Sequence, residues 1–256
     1  MSKVKFKRGT GYPSSYEDGV IYVSDTVLAT KLSDGTIVST PMSSTPSSGS
    51  NNLDTYSWDY INSTTTLNVG DKKTITLADG TSVSVLVAGK SHDTLAHSSS
   101  GSAKAKYTFI LTSPYGKAVM NDTHTNVGGW RDCKMRNVTM PANYDMLPRD
   151  LKEVIKPVKK QTTEGDTLTS LVTTIDKLFL LSETEMYGST NHSGVAEGSQ
   201  YSYFSNNSSD RFDDYGFWLR SPYSGSSGNF CLSSGGGVYD LGYANRSSPV
   251  LFGFCI

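Results

Sequence analysis

The residues with the clearest functional potential lie near the end of this sequence, between positions 218 and 256. Their side chains are of the types that bind a ligand through noncovalent contacts. Tyrosine gives a large contact area at a low entropic cost, and serine and asparagine adapt their hydrogen bonds to many surfaces. Bulky apolar residues alternate with them and are predicted to form a scaffold: Trp218, Leu219, Pro222, Phe230, Val238, Val250, Phe252 and Phe254. The polar residues between them are the predicted ligand-binding set: Tyr223, Ser224, Ser226, Ser227, Asn229, Ser234, Tyr239, Asp240, Tyr243, Asn245, Arg246 and Ser247. Within that set, the three tyrosines and the arginine are the predicted anchors.

Arg220 stands apart from this set because it lies inside the tight run Trp218–Pro222. A guanidinium can bind carboxylates and carbonyls through several hydrogen bonds at once. We therefore predict a structural role for Arg220, in which it bridges backbone carbonyls or a carboxylate near Asp213 or Asp214, in preference to ligand contact.

Residues suited to catalysis or to metal binding are scattered. No two of the four histidines have the spacing of a zinc pair; they are His92, His97, His124 and His192. Asp210, Asp213 and Asp214 could offer oxygen ligands to calcium, but the spacing is a weak signal and solvated carboxylates are the default. No phosphate-binding glycine loop or nucleophile elbow occurs. The sequence predicts no catalytic residue and no metal site, and leaves calcium binding open.

The three cysteines do not suggest a disulfide framework, because their number is odd and no secretory signal precedes them. Cys231 and Cys255 lie in apolar, strand-like runs, and Cys133 lies in a polar one. We predict that Cys231 and Cys255 are buried thiols, and leave open whether they pair.

Composition excludes several classes of partner. The formal net charge is −1 and charged residues make up 18% of the chain, so no basic stripe is present to bind nucleic acid. No run of about 18 apolar residues occurs, so no membrane insertion is expected. The first residues contain no apolar segment of a signal peptide, so we expect synthesis in a bacterial cytoplasm without export by that route.

The elements that must position these residues are mostly short strands. Residues 1–41 are predicted to form a small β module with turns at Asp18-Gly19 and Asp34-Gly35. Residues 42–52 are predicted to form a Ser/Pro-rich linker, and 53–256 a larger α+β domain in which Gly70-Asp71 and Asp79-Gly80 separate two strands from their neighbours. The predicted strands are Lys3–Lys7, Val20–Val23, Thr36–Val38, Lys73–Leu77, Ser82–Val87, Tyr107–Leu111 and Lys177–Leu181. Helices are predicted at Gly128–Thr139 and Pro148–Lys160, with a helical turn after Ser182, whose spacing to Glu185 suits a capping box.

The first forty residues carry one resemblance to a known family. The runs Phe6–Thr10, Glu17–Tyr22 and Asp25–Thr26 are similar to the small N-terminal module of phage tail and tropism-determinant proteins. Leu32–Gly35 departs from that pattern because no glycine stands before the Asp-Gly pair. The resemblance implies that this module is the oligomerising base of a tail tip: a homotrimer that attaches to other phage tail proteins in a virion.

A second resemblance covers the chain from about Trp58 to its end. The motifs that carry it are Gly128–Trp130, Leu147–Pro148, Ile155–Val158, Lys177–Ser182, Gly198–Tyr201, Trp218–Pro222 and Gly253–Ile256. They resemble C-type-lectin-like domains common in gut phages and bacteria, a fold shared with formylglycine-generating enzymes. Some members are the variable proteins of diversity-generating retroelements. The resemblance implies a receptor-binding protein whose C-terminal region, about 218–256, is diversified to recognise a host-surface protein or glycan.

That implication can be checked against residue usage. In those retroelements, randomised asparagine codons reach fifteen amino acids but never Lys, Glu, Gln, Met or Trp. These five types total 34 residues of the 256, so about five are expected in any 36-residue segment, yet Ser221–Ile256 contains none. A Ser/Gly-rich loop region could avoid long polar side chains for other reasons, but the absence favours diversification.

Three other functions stay open. A binding module of fixed specificity for a sugar or surface polymer would keep the residues from Tyr223 to Ser247 among near relatives. A purely structural virion protein would pack its loops against neighbouring subunits. An enzyme of the sulfatase-modifying type would need a reactive thiol beside a cleft.

Overall fold

The computed structural model describes residues 5–8, 20–23, 27–31, 37–41, 52–97, 101–211, 216–233 and 240–256, with side chains placed from residue 52 onward except at Asp240. The chain divides into two units, Met1–Ser50 and Asn51–Ile256. The division falls inside the stretch 42–52 that the sequence predicts as a linker.

The first unit contains a four-stranded sheet with the order β1-β2-β3-β4. β1 (Lys5–Arg8) pairs in parallel with β2 (Val20–Val23), which pairs antiparallel with β3 (Val27–Lys31), and β3 pairs antiparallel with β4 (Ile37–Pro41). The predicted turn at Asp18-Gly19 lies outside the described residues.

The second unit mixes short helices with antiparallel strands, so the predicted α+β class is confirmed at that level. Its strands are β5 (Lys72–Thr76), β6 (Ser82–Lys90), β7 (Tyr107–Leu111), β8 (Lys117–Ala118), β9 (Val158–Thr163), β10 (Leu171–Asp176), β11 (Leu178–Leu180), β12 (Trp218–Pro222), β13 (Asn229–Leu232), β14 (Asp240–Tyr243), β15 (Ser248–Pro249) and β16 (Phe252–Cys255). Its α-helices are α1 (Trp58–Ser63), α2 (Gly129–Asp132), α3 (Met140–Met146), α4 (Arg149–Val154), α5 (Glu183–Tyr187) and α6 (Ser202–Asn206). A π-helix (Met135–Thr139) and a 3₁₀ turn (Ser208–Arg211) complete the list.

The largest sheet has the order β11-β16-β7-β6-β5, so the last strand of the chain lies near its middle. β5 alternates exposed and buried residues, as a half-buried strand does, whereas β7 and β16 are buried throughout. Phe109 of β7 stacks on Phe254 of β16 with ring centroids 5.5 Å apart, and Trp58 of α1 packs edge-on against both. The apolar end of the sequence is therefore core.

Three smaller sheets surround this one: the hairpin β9–β10, the three-stranded sheet β12-β13-β14 and the pair β8–β15. The last two hold the region 218–249. All the strands predicted from the sequence overlap observed strands.

The helix predicted from Pro148 to Lys160 is wrong in its second half. α4 ends at Val154, and β9 begins at Val158. A residue before a proline is disfavoured in the helical conformation, and Lys156 precedes Pro157. The apolar residues spaced for one face of that predicted helix are nevertheless buried: Leu151, Val154, Ile155 and Val158.

Two further corrections concern helices. The segment predicted as one helix from Gly128 is split, because Cys133 is extended between α2 and the π-helix. The segment between Gly188 and Asp210, whose polar sequence predicts a loop, contains α6 and most of the 3₁₀ turn. The predicted capping box is confirmed: the Ser182 hydroxyl accepts from the Glu185 amide, and the Glu185 carboxylate accepts from the Ser182 amide.

The three cysteines are free and buried. Cys231 lies in β13 and Cys255 in β16, strands of different sheets, so the pairing left open by the sequence is not made. Among the described residues, no helix has the length and apolar character needed to cross a membrane.

Candidate functional site: a loop face over a buried frame

Four residues of the predicted ligand-binding set project from the turn that follows β14. Tyr243 is 60% exposed, and Asn245, Arg246 and Ser247 are exposed as well. Ala244 between them is fully buried. The turn is closed by the Arg246 amide, which donates to the Tyr243 carbonyl at 2.8 Å. Buried Ala244 therefore anchors a segment whose other residues, from Tyr243 to Ser247, are exposed.

The loop between β12 and β13 lies beside that turn, because Asn229 is paired with Tyr243 and the Ala244 amide donates to the Gly228 carbonyl at 2.9 Å. Ser227 in this loop is exposed. Four other members of the predicted set are half-buried there: Tyr223, Ser224, Ser226 and Asn229.

Most of those half-buried residues make hydrogen bonds within the protein. The Ser226 hydroxyl bonds to the Asn229 side chain at 3.0 Å, and both the amide and the hydroxyl of Ser224 donate to the His192 carbonyl at 2.8 Å. The Tyr223 amide donates to the Asn229 carbonyl at 3.0 Å. These contacts shape the loop, so its side chains are less free to change than those around Tyr243.

The side chains of three members of the predicted ligand-binding set are not described. Ser234 and Tyr239 lie outside the described residues, as does Val238 of the predicted scaffold. Asp240 is the first residue of β14, and its side chain is not described.

A residue that sequence reasoning missed, Asn126, joins the loops. It is fully buried, and its side-chain amide donates to the carbonyls of Ser226 at 2.7 Å and Asn229 at 2.8 Å. Its own amide donates to the Ser227 carbonyl, and its side-chain oxygen accepts from the Asp166 amide at 2.8 Å. No motif in the sequence marks Asn126, because every one of these partners is at least forty residues away along the chain.

Two histidines that the sequence analysis set aside lie against tyrosines of the predicted set. The His124 ring is 4.3 Å from the Tyr243 ring at a 55° tilt, and the His192 ring is 5.6 Å from the Tyr223 ring. His124 also occupies the space over Gly228, where an added Cβ would lie 2.2 Å from its Nε2 atom. An alanine at this position would require the His124 ring to shift, because the ring approaches the backbone so closely.

The surface beside these loops is partly apolar. Val127 is 54% exposed and Leu168 is 50% exposed, although both are aliphatic. Asn126 links their two segments, since it precedes Val127 and accepts from Asp166. We call residues 223–229 and 243–247, with their flanks 124–127 and 165–168, the loop face.

The predicted scaffold residues lie beneath the loop face and are buried where they are described. Trp218 is fully buried, its indole Nε1–H donates to the Ala118 carbonyl at 2.8 Å, and its ring packs against Gly242, where a Cβ would come within 2.5 Å. The other buried members are Leu219, Pro222, Phe230, Val250, Phe252 and Phe254.

Arg220 has the structural role predicted for it, but with a different carboxylate. It is fully buried, and it forms a bidentate ion pair with Glu185, with 2.9 Å from Nη2 to Oε1. It also donates to the carbonyls of Gln161, Leu180 and Glu197 at 2.7 to 3.0 Å. Asp213 and Asp214 lie outside the described residues.

The Arg220–Glu185 pair belongs to a larger buried charge cluster. The Lys160 ammonium lies 2.6 Å from both Glu185 Oε1 and Asp93 Oδ1, and 2.9 Å from the Tyr201 hydroxyl. Although burial disfavours charged carboxylates, the Lys160 charge lowers the pKa of Asp93, and the Arg220 and Lys160 charges lower the pKa of Glu185. The cluster is enclosed, so its chemistry is structural: it ties β9, β12 and α5 together.

Glu197 is a carboxylate of this cluster that burial keeps closer to its neutral form. Desolvation raises its pKa, and the Arg220 charge only partly opposes the shift. Its oxygens accept from the Thr163 amide at 2.7 Å and from the Ser221 hydroxyl.

Among the described residues, neither the thiols nor the carboxylates are grouped as a reactive or metal-binding centre. Burial raises the pKa of the thiols of Cys231 and Cys255, which disfavours the thiolate. Asp210 bonds to the hydroxyls of Tyr203 and Ser209 and is exposed. Within the described part of the chain, no three His, Cys, Asp or Glu residues are grouped so that they could hold a metal ion.

The fold and the site thus define a mixed α+β domain with an exposed loop face and an interior that contains a cluster of buried ion pairs. The chain belongs to a family described as a domain of unknown function (DUF6273), whose model matches residues 105–250. That segment includes Asn126, Glu185 and Arg220 and all of the loop face. No curated protein and no solved structure matches the chain.

Proposed function

We propose that this chain is a receptor-binding protein of a phage tail, whose loop face recognises a host-surface protein or glycan without making or breaking a bond. The observation that carries the proposal lies at the end of β14 and in the turn that follows it, where Tyr243, Asn245 and Arg246 are exposed while Gly242 and Ala244 are buried. A segment of this kind can change its outward side chains without disturbing the core.

The chemistry of the exposed residues supports recognition. Tyr243 offers a large ring at low entropic cost, and Arg246 has no hydrogen-bond or ion-pair partner for its guanidinium among the described residues. Val127 and Leu168 add aliphatic surface beside them. Aromatic and arginine anchors with an apolar border are typical of protein-binding surfaces.

The finer parts of the proposal rest on resemblance and residue usage. The second unit is proposed to be a C-type-lectin-like domain, and Ser221–Ile256 a segment diversified by a retroelement, because it lacks Lys, Glu, Gln, Met and Trp. The first unit is proposed to form a homotrimeric base that attaches to other tail proteins, so that several copies add avidity to a modest single-site affinity.

One observation favours a second candidate, a binding module of fixed specificity. Tyr223, Ser224, Ser226 and Asn229 are half-buried and hydrogen-bonded to one another or to His192, as residues of a fixed site often are. Diversification would then be confined to the exposed positions Ser227, Tyr243, Asn245, Arg246 and Ser247.

A cell-binding experiment tests the proposal. The labelled full chain is titrated onto a panel of gut bacterial strains, and the double variant Tyr243→Ala/Arg246→Glu is compared with Arg149→Glu, an exposed charge reversal on α4. We expect saturable binding to particular strains, lost in the double variant and kept in Arg149→Glu, with unchanged unfolding midpoints. Equal binding by both variants would contradict a role for the loop face.

The coding DNA separates the two candidates. A near-copy of the last 120 or so bases, differing at adenines and close to a reverse-transcriptase gene, would establish diversification. A coding region without such a repeat would favour fixed specificity.

A further inference from the structure

The hairpin β9–β10 has one edge tied into the protein. On β9, the Lys159 amide donates to the Thr94 carbonyl at 2.8 Å, and the Thr163 amide donates to the Glu197 carboxylate at 2.7 Å. The Gln161 carbonyl accepts from Arg220 at 3.0 Å. These three residues therefore direct their backbone groups away from β10.

The other edge of the hairpin is open. In an antiparallel pair, residues directly opposite each other exchange both backbone hydrogen bonds or neither. Lys159, Gln161 and Thr163 lie opposite Ile175, Thr173 and Leu171. Since the β9 members turn their groups outward, the three β10 members direct theirs to the outer edge.

Little within the described residues covers that edge. The Ile175 carbonyl accepts from Arg136 Nη2 at 3.1 Å, which closes one end. The outward backbone groups of Leu171 and Thr173 have no hydrogen-bond partner among the described residues.

β10 also lacks the features that usually protect an edge strand, which are proline, lysine, a bulge or a short length. It has six residues, and its register with β9 continues without a shift. Leu171 is 39% exposed and Ile175 is 49% exposed, and both point to the same side as Thr173. An exposed row of this type is a template for another strand.

A cavity of about 330 Å³ lies at the Ile175 end of this edge. One wall is built by the π-helix and α3, and π-helical turns recur at functional sites. Apolar side chains line it: Met140, Pro141, Tyr144, Ile175 and Leu178. It has room for one side chain of a partner.

The charges near this end are mainly positive. Lys177 lines the cavity and lies 4.7 Å from the centre of the Tyr144 ring, and Lys159 is exposed opposite Ile175. Neither ammonium has a carboxylate partner among the described residues, whereas Arg136 is paired with Asp176. Asp145 is the other acidic residue of the lining. A partner with an acidic group near this end would complement the two lysines.

We propose that the outer edge of β10 binds an extended peptide segment of another protein by strand addition. The segment hydrogen-bonds to Leu171 and Thr173 and packs alternate aliphatic side chains along Leu171 and Ile175. It inserts one apolar side chain into the cavity and places a carboxylate near Lys159 and Lys177. This site is separate from the loop face and does not depend on its function.

Two synthetic peptides test the proposal, because the added strand could run either parallel or antiparallel to β10. They are acetyl-Glu-Thr-Val-Thr-Val-Thr-Leu-amide, whose Glu, Val and Leu side chains share one face, and the same sequence reversed, titrated into the isotopically labelled full chain. We expect one of them to shift the amide resonances of Leu171 and Thr173. N-methylation of one alternate set of peptide amides should weaken binding by at least about tenfold, and methylation of the other set should not.

A matched pair of variants provides the protein side of the test. Thr173→Pro removes the outward N–H, and an edge strand tolerates proline at such a position. Thr173→Ala keeps the N–H and should bind as the original chain does. We expect Thr173→Pro to lose binding while the loop-face variant Tyr243→Ala/Arg246→Glu keeps it.

Three results would overturn the proposal. The first is the lack of binding by either peptide at about 1 mM. The second is equal binding by Thr173→Pro with an unchanged unfolding midpoint. The third is a dimer in sedimentation that Thr173→Pro dissociates, because the edge would then pair with a second copy of this chain.

Discussion

The Arg220 guanidinium and the Glu185 carboxylate form a bidentate ion pair in the interior, one residue before the segment proposed to be diversified. The Glu185 carboxylate also accepts a hydrogen bond from the Ser182 amide in the capping box of α5. One carboxylate therefore stabilises the first turn of α5 and binds Arg220 of β12. The remaining guanidinium hydrogens bond to carbonyls, so the buried charge has its hydrogen bonds satisfied. The pair therefore fixes the strand from which the loop face begins.

Removing one member of that pair should be costly. Arg220→Met leaves the Glu185 carboxylate buried beside Lys160 alone, and we expect a loss of about 3–5 kcal/mol in the free energy of unfolding. The matched change Arg246→Met, on an exposed side chain, should change it by less than about 0.5 kcal/mol. Urea unfolding followed by circular dichroism measures both, and similar losses would contradict the assigned roles.

Glu197 should give a pH dependence of opposite sign to that of an ordinary salt-bridged acid. Its pKa is raised above 4.5 by burial, so the folded state holds its proton more tightly than the unfolded state does. Its contribution to stability is present below pH 4.5 and is lost as the pH rises through the pKa of the folded state.

Glu197→Gln tests that dependence, because glutamine can accept from the Thr163 amide and donate to the Ser221 hydroxyl without ionising. The free energy of unfolding, measured from pH 4 to 7, should shift in favour of the variant as the pH rises. Glu183→Gln is the control: that carboxylate accepts from the amides of His192 and Ser193 through both oxygens, so the change should destabilise the protein throughout. Parallel curves for Glu197→Gln and the original chain would refute the assignment.

Asn126→Asp should loosen the loop between β12 and β13. The aspartate keeps an acceptor for the Asp166 amide but places an oxygen against the carbonyls of Ser226 and Asn229, where the amide donated. We expect a cost of about 1–3 kcal/mol and faster hydrogen exchange at the Tyr223 amide. Asn245→Asp, the same change on an exposed residue, should alter neither. Exchange rates that respond equally to both changes would show that Asn126 does not hold these loops together.

The sequence predicted best the features that depend on neighbouring residues. The burial of Phe230 and Phe252, the capping box of Ser182 and Glu185, and the strand Tyr107–Leu111 all follow from local alternation, spacing or apolar runs. The helix from Pro148 was predicted too long, because apolar periodicity alone cannot distinguish a stripe that continues from one that passes into a strand after Pro157.

The features that the sequence did not reveal depend on distant partners. Asn126 reaches Ser226 across one hundred positions, and Lys160 reaches Asp93 across sixty-seven. Polar residues of this kind look like ordinary surface residues until the fold buries them. The carboxylate partner of Arg220 is another such case. Asp213 and Asp214 are near Arg220 in the sequence, but the carboxylate that pairs with it is Glu185, thirty-five residues away.

His124 and Gly228 should be energetically coupled through the ring that covers the glycine. Gly228→Ala places a Cβ 2.2 Å from His124 Nε2, so the ring must shift, and its contact with the Tyr243 ring 4.3 Å away must change. Gly228 does not have a positive φ, and the three atoms nearest to the added Cβ all belong to the His124 ring, so this ring is the first obstacle that an alanine would meet.

A double-mutant cycle measures this coupling. Gly228→Ala should destabilise the original chain by about 1 kcal/mol, and should cost much less when His124 has first been changed to alanine. In Gly228→Ala the Tyr243 ring loses its partner, so its nuclear magnetic resonance signals should move in the same direction as in His124→Ala. An additive cycle, or Tyr243 signals that ignore both changes, would show that His124 does not hold the orientation of this anchor on the loop face.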